Sequence, residues 1–347
     1  VNILNLASKK RETYEINLTY SILWECALGI AAITNSALHD SLEKTEGEWL
    51  EIKESLPDEL IKELDYVENN NTWKSLLQLL HLKHFEDIND FVICLQKLAD
   101  EELKFYCLPY TGLRFQEIRK RAALNQEEAV NTLKEVTKAN PFFPKYIEFI
   151  SGVDAQHLRT HLIKVMKLWN EAFIKNDEKR SQQILQIDYE NKKKAKGKMD
   201  PEEFLEWATG GIAYKPEPGV SKVLLIPQRI YRPWNIEADI EETKVFYYPV
   251  SNESITPKDR FTPDNFLTLK YKALGDEIRL RIVKLLYEEN LSLQDITEKM
   301  EMGKSTIHHH LKILRSAKLV EIVESKYSLK KRGIQRLAEE LESYLTK

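Results

Sequence analysis

Cysteine, glycine and proline are scarce in this chain, and each scarcity removes a class of protein. The three cysteines, Cys26, Cys94 and Cys107, stand far apart in 347 residues, with no CxxC or CxC pair. Neither a disulfide framework nor a thiolate zinc site is indicated, and a reducing cytoplasm is the expected compartment. With 11 glycines and 12 prolines the chain has no low-complexity character and favours helix. Long apolar runs are missing as well. The most apolar stretch, "SILWECALGIAAI" at 21–33, is too short to span a bilayer and carries Glu25, so it reads as a core helix and no membrane partner is expected. A secretory leader is not expected, because Glu12 and Glu15 separate the basic "KKR" at 9–11 from that run. No nucleophile elbow, glycine-rich dinucleotide loop or paired catalytic carboxylates occur, so no catalytic residue and no cofactor is assigned and an enzyme is not expected.

What remains is a polar, helix-patterned chain, 31% charged and 42% apolar, long enough for two or three units. Its net charge of −4 is uneven: Asn265 to Lys347 carries 16 Lys/Arg against 12 Asp/Glu, and the rest carries 35 against 43. A basic end on an acidic body points to a polyanionic partner for that end.

Three regions follow from the patterning. Residues 1–219 read as helix after helix, with apolar residues at three- and four-residue spacing such as Phe91, Cys94, Leu95 and Leu98. Five lysines between 192 and 198 read as a solvated loop, and "DPEEF" at 200–204 as the capped start of another helix. In 220–265, "KVLLIPQRIYRPW" and "TKVFYYPV" read as two paired strands with "NIEADIEE" looping between them, followed by a polar linker. Residues 266–347 give a short helix, a break at Gly275 and a helix capped by Asp276. A helix capped by Ser292, the turn "EMG" and a helix with Ile307, Leu311 and Leu314 on one side come next. A hairpin around "ESK" and a last helix close the chain. Two short helices joined by a glycine-containing turn make a helix-turn-helix, and a hairpin after it makes a winged helix. The expected fold class is mainly α: a large all-helical N-terminal region, a short β-hairpin segment and a C-terminal winged helix-turn-helix.

"KALGDEIRLRIVKLL", "LSLQDITEKMEMGKSTIHHHLKILRSAKLVE" and "YSLKKRG" together resemble the ArsR (ArsR/SmtB-like) family of bacterial transcriptional regulators. The resemblance covers the last quarter of the chain. Through "LLIPQRIYRPW" and "FYYPV", the earlier part resembles an uncharacterised helical region found ahead of such modules in some long regulators. The family resemblance implies a double-stranded DNA partner, a homodimer and repression.

Charge supports the DNA reading independently. From Lys304 to Arg332 there are eight Lys/Arg against Glu321 and Glu324, a concentration suited to counterion release from phosphates. The first turns of the recognition helix would offer Lys304, Ser305, Thr306, His308 and His309 to base edges. Lys312, Arg315, Lys326, Lys330, Lys331 and Arg332 would hold phosphates and set register. Ile334, Leu337, Leu341 and Tyr344 form a stripe on the last helix, expected at the dimer contact.

Competing chemistries are excluded locally. A Walker A loop needs glycine at 298, where the chain has Glu298. Successive helical histidines 308–310 point about 100° apart and cannot converge on one ion. His157 with His161 has a zinc-capable spacing but Leu158 where the Glu of HExxH would stand, and His81 with His84, near Glu86 and Asp87, is a similarly weak pair, so no metal site is assigned and partly exposed helical histidines are expected. The family's metal sites do not carry over, because "SLQDITEKM" has no thiol and "IQRLAEELESYL" no histidine. The sequence-level conclusion is a cytoplasmic, sequence-specific DNA-binding regulator with a sensory or oligomerising N-terminal region and an unnamed effector, if any. An enzyme or protein-interaction domain localised by a winged helix is the alternative.

Overall fold

A computed structural model describes residues 13–259 and 261–346. The "KKR" and Glu12 of the leader argument lie outside them. Ile22–Ile33, the apolar stretch, is a helix buried at all twelve positions, as a helix apolar on every side must be. Ser21 caps it, accepting the Leu23 N–H at 3.2 Å. Gly29 lets Trp169 of the Ala155–Trp169 helix lie against it: a Cβ there would come within 2.7 Å of the indole nitrogen. Glu25 accepts the backbone N–H groups of Arg229 and Ile230, and burial raises its carboxyl to about 7. No helix among the described residues is long and apolar enough to cross a membrane.

The molecule is mainly α, but the region before the winged helix is not all-helical. Four strands form one sheet: β1 (Glu15–Leu18), β2 (Lys222–Gln228), β3 (Ile236–Ile240) and β4 (Thr243–Pro249), in the order β1-β2-β4-β3. β1 runs parallel to β2 and β2 parallel to β4; only β3 is antiparallel, to β4. The expected hairpin of "KVLLIPQ" with "TKVFYYP" is therefore corrected, because those strands are parallel neighbours and "NIEADIEE" supplies the antiparallel one. Their near-continuous apolar character carries the reason, since a central parallel strand is covered on both faces. Val223, Leu225, Phe246 and Tyr248 pack on Tyr14 and the Pro201–Ala208 helix, while Ile226, Val245 and Tyr247 pack on the main helical core. β1 is four residues long, too short for periodicity to reveal.

Lys192, Lys193 and Lys194 are not in a loop. They end the Glu178–Ala195 helix, and Lys192 is buried with its ammonium 4.2 Å from the Trp207 ring centre.

The winged helix has its own core, built from Ala273, Ile282, Leu286, Ile296, Met300, Ile307, Leu311 and Leu314 among others. Its helices are Asn265–Leu274, Glu277–Glu288, Leu293–Met300 and Lys304–Ser316. The two wing strands follow, β5 (Val320–Val323) and β6 (Lys326–Leu329). The last helix is broken at Arg336 into Lys331–Gln335 and Leu337–Leu345.

Candidate nucleic-acid interface

The Leu293–Met300 helix opens with a reciprocal cap: the Asp295 N–H donates to Ser292 Oγ at 3.2 Å and the Ser292 N–H to Asp295 Oδ2 at 2.9 Å. It ends at Glu301 in the left-handed region, φ 53°, and Met302 and Gly303 turn the chain into the Lys304–Ser316 helix. Ile307, His310, Leu311 and Leu314 bury one face of that helix. Lys304, Ser305, Thr306, His308 and His309 stand exposed on its first two turns. The histidines thus divide. His310 is buried, its Nδ1 3.9 Å from Asp276, and burial holds its imidazole below the usual value despite that carboxylate.

The wing turns on Glu324 and Ser325, both left-handed at φ 49° and 65°, a two-residue turn matched to the twist of its strands. Lys326, which the sequence placed in the turn, starts β6 and is exposed. Tyr327 exchanges two backbone hydrogen bonds with Leu291, at 3.1 and 2.7 Å, which fixes the wing against the helix-turn-helix.

The second half of the helix meets the body. Lys312 bonds Asp40 and the Ala37 carbonyl (3.3 Å) of the short Ser36–Ser41 segment. Arg315 and Lys318 lie 5.9 and 5.7 Å from the Trp234 ring centre, and Trp234 donates to Ser41 at 3.1 Å. Lys330 donates to the Gly211 carbonyl and pairs with Glu321 at 3.2 Å. Arg332 and Arg336 are 3.9 and 3.8 Å from Glu206. Phe266 packs against Gly210, where a Cβ would fall 2.0 Å from the ring. Of the eight cations between 304 and 332, Lys304, Lys326, Lys331 and Arg332 are exposed, whereas Lys312, Arg315, Lys318 and Lys330 are half-buried. The sequence placed Lys312, Arg315 and Lys330 on phosphates; in this structure they face the body. Asp40, Trp234 and Gly211 carry no local signal that would have marked them as their partners.

The stripe on the last helix is partly occupied by its own chain. Ile334 packs against the winged-helix core, and the Tyr344 hydroxyl donates to the Phe261 carbonyl at 2.7 Å. Lys270 pairs with Glu340 at 2.6 Å, pinning the helix to Asn265–Leu274. Leu337 and Leu341 are half-buried. Leu280 and Tyr287, about two turns apart on the Glu277–Glu288 helix, are 49% and 57% exposed.

Of the histidine pairs, His157 is helical and exposed as expected, and His161 departs from the expectation. His161 is buried rather than partly exposed: Nδ1 lies 2.6 Å from Glu63 and Nε2 2.8 Å from the Thr72 hydroxyl. Burial lowers its imidazole pKa, with Glu63 opposing. The hydroxyl–imidazole–carboxylate order is that of an activated nucleophile, but Thr72 is 0% exposed and both ring nitrogens are committed. The triplet ties three helices together instead. His81 is half-buried, its Nε2 2.8 Å from the Tyr247 hydroxyl. Among the described residues no group of three or more His, Cys, Asp or Glu is placed to hold a metal ion.

Residues 276–321 match the family model described as "Bacterial regulatory protein, arsR family". The matched segment runs from the cap of the Glu277–Glu288 helix into β5 and contains the whole recognition helix. Comparison with curated proteins and with solved structures finds no match. The C-terminal region is thus an ArsR-type helix-turn-helix, the double-stranded-DNA-binding domain of a transcription regulator.

Proposed function

We propose that the protein is a sequence-specific repressor that acts as a homodimer, in which the region before the winged helix is the sensory unit. The observation that carries the reading is the recognition helix itself. Its inner stripe is buried, and Lys304, Ser305, Thr306, His308 and His309 project where an entering helix meets base edges. Hydroxyls and imidazoles donate and accept there, and the Thr306 methyl suits a thymine methyl. The exposed cations Lys326 of the wing and Lys331 and Arg332 of the helix that follows it supply phosphate contacts.

The sensory role rests on the body's hold on Lys312, Arg315 and Lys330. A duplex lying along the helix competes with Asp40 for Lys312. Docked and released arrangements consequently differ in DNA affinity, and a signal that prefers one of them shifts the population by its differential affinity. The half-buried Leu337 and Leu341, with exposed Leu280 and Tyr287, support a contact with a second copy. A two-fold pair reads an inverted repeat with half-sites about one helical turn apart.

The test is a salt titration of binding to the DNA upstream of the protein's own gene, with unrelated duplex as competitor. Tighter binding to the upstream DNA, with log affinity falling linearly in log salt, is the expected result. Equal affinity for both duplexes at every salt concentration overturns the sequence-specific reading.

A further inference from the structure

Between the body and the winged helix lies a cleft of about 940 Å³, within the range of roughly 300–1,000 Å³ typical of small-ligand sites. Nine Lys/Arg and six Asp/Glu line it. Three of the acids already face cations: Glu340 takes Lys270 at 2.6 Å, Glu321 takes Lys330 at 3.2 Å, and Glu206 lies near Arg332 and Arg336. A fourth, Asp264, accepts the N–H groups of Phe266 and Leu267 as a helix cap.

The cations left over come from both sides. Lys192 is buried, and its contacts are the faces of Trp207 and Tyr248, with no carboxylate within ion-pair distance among the described residues. Lys318 crosses from the winged helix with its carbon stem against Gly211 and its ammonium 5.7 Å from the Trp234 ring centre. Burial, with Lys330 and Arg315 adding and the Glu237 carboxylate opposing, lowers its ammonium to about 8. Lys194 and Lys198 on the body and Lys331 on the winged helix line the same cleft and are exposed. Desolvated ammonium groups without counter-charge are costly, and a multivalent anion between them recovers that cost. The Trp207 ring, 42% exposed, forms an apolar wall beside them.

We propose that this cleft binds a small multivalent oxyanion, phosphate- or carboxylate-bearing, held between Lys192, Lys194 and Lys198 of the body and Lys331 of the winged helix. The ligand bridges the two parts in the docked arrangement, where Asp40 and Trp234 hold Lys312 and Arg315. Its binding therefore lowers DNA affinity, and DNA lowers its affinity by the same factor. This second consequence rests on the proposed DNA-binding function, whereas the site itself does not. The residues expected at base edges, Lys304 to His309, lie outside the cleft, so the site is separate from the reading head.

Calorimetric titration of the full chain without DNA tests the site, using inorganic pyrophosphate, tripolyphosphate and citrate at constant ionic strength. Saturable binding of one ligand per chain is expected, with the phosphate and citrate arms separating the two ligand chemistries. Lys192→Gln, and separately the exposed pair Lys194→Ala with Lys198→Ala, should weaken it about tenfold or more; the exposed pair keeps the test decisive should Lys192→Gln fail to fold. Absence of saturable binding by all three anions overturns the site, as does wild-type affinity in the exposed-pair variant. With DNA present, the saturating anion should weaken binding about fivefold or more. Unchanged DNA affinity with the anion bound overturns the coupling. A chain that binds the anion and fails to bind any duplex sinks the DNA reading and leaves the site standing.

Discussion

In the first half of the recognition helix Lys304, Ser305, Thr306, His308 and His309 face solvent, whereas Lys312 and Arg315 in its second half, and Lys318 just beyond its end, face Asp40 and Trp234 of the body. Both halves share one inner stripe and one helical period, so local pattern treats them alike. Long-range contacts separate them: Lys312 meets a residue 272 positions earlier in the chain. A charge cluster that reads as one DNA-facing field is thus split between a surface ready for a groove and a surface already engaged.

The largest expected effect on DNA binding comes from the free half. Replacing Thr306 and His309 by alanine should remove the proposed base-edge contacts, worth about 1–3 kcal/mol each. Discrimination between upstream and unrelated duplex should fall tenfold or more in a competition assay, with non-specific affinity preserved. Next comes the docking platform. Gly210→Ala drives a methyl against the Phe266 ring, 2.0 Å from its nearest atom, at a φ of +71°, and overpacking of this kind costs about 1–3 kcal/mol. The winged helix should be released, with faster amide exchange at 36–41, quicker proteolysis in 256–264 and tighter DNA binding. Loss of docking without any gain in affinity would remove the competition between body and DNA.

Asp40→Ala is a milder version of the same release. Freeing Lys312 should tighten DNA binding a few-fold, as expected for a partly exposed ion pair worth about 0.2–1 kcal/mol. It should also steepen the log affinity against log salt slope by about one, the share of one added phosphate contact. The smallest effect on DNA belongs to Glu25, which touches neither half of the helix. Its carboxyl is raised by burial from 4.5 to about 7, so between those values the folded chain holds a proton that the unfolded chain has released. Stability should fall as pH rises through that window, with a slope of up to about 1.4 kcal/mol per pH unit. Denaturant unfolding of Glu25→Gln should lose that slope, with DNA affinity unchanged at neutral pH.

Much of the winged helix was legible in the sequence because its determinants are local. Asp276 and Ser292 cap their helices, and Ile307, Leu311 and Leu314 recur at helical spacing. The body was legible only as far as its helices. Strand direction depends on partners far along the chain, so "KVLLIPQ" and "TKVFYYP" announced strands and concealed that they run parallel. A continuous apolar run was the available clue, since a hairpin with one wet face would have alternated. Lys192 misled for a related reason. A lysine run reads as solvated, but the long stem of Lys192 is buried and its ammonium rests on Trp207. Among the site residues, the exposed set from Lys304 to His309 followed from periodicity, whereas the engagement of Lys312 by Asp40 is a tertiary fact without a sequence signature.

The division of the recognition helix is tested most directly by one salt titration on the upstream duplex, comparing the wild type with Asp40→Ala and with Thr306→Ala/His309→Ala. Opposite signs are predicted: tighter binding with a steeper salt slope for Asp40→Ala, and weaker binding with an unchanged slope for the double variant. Weakening by both, or an unchanged affinity in both, would contradict a helix whose first half reads DNA while its second half is held by the body.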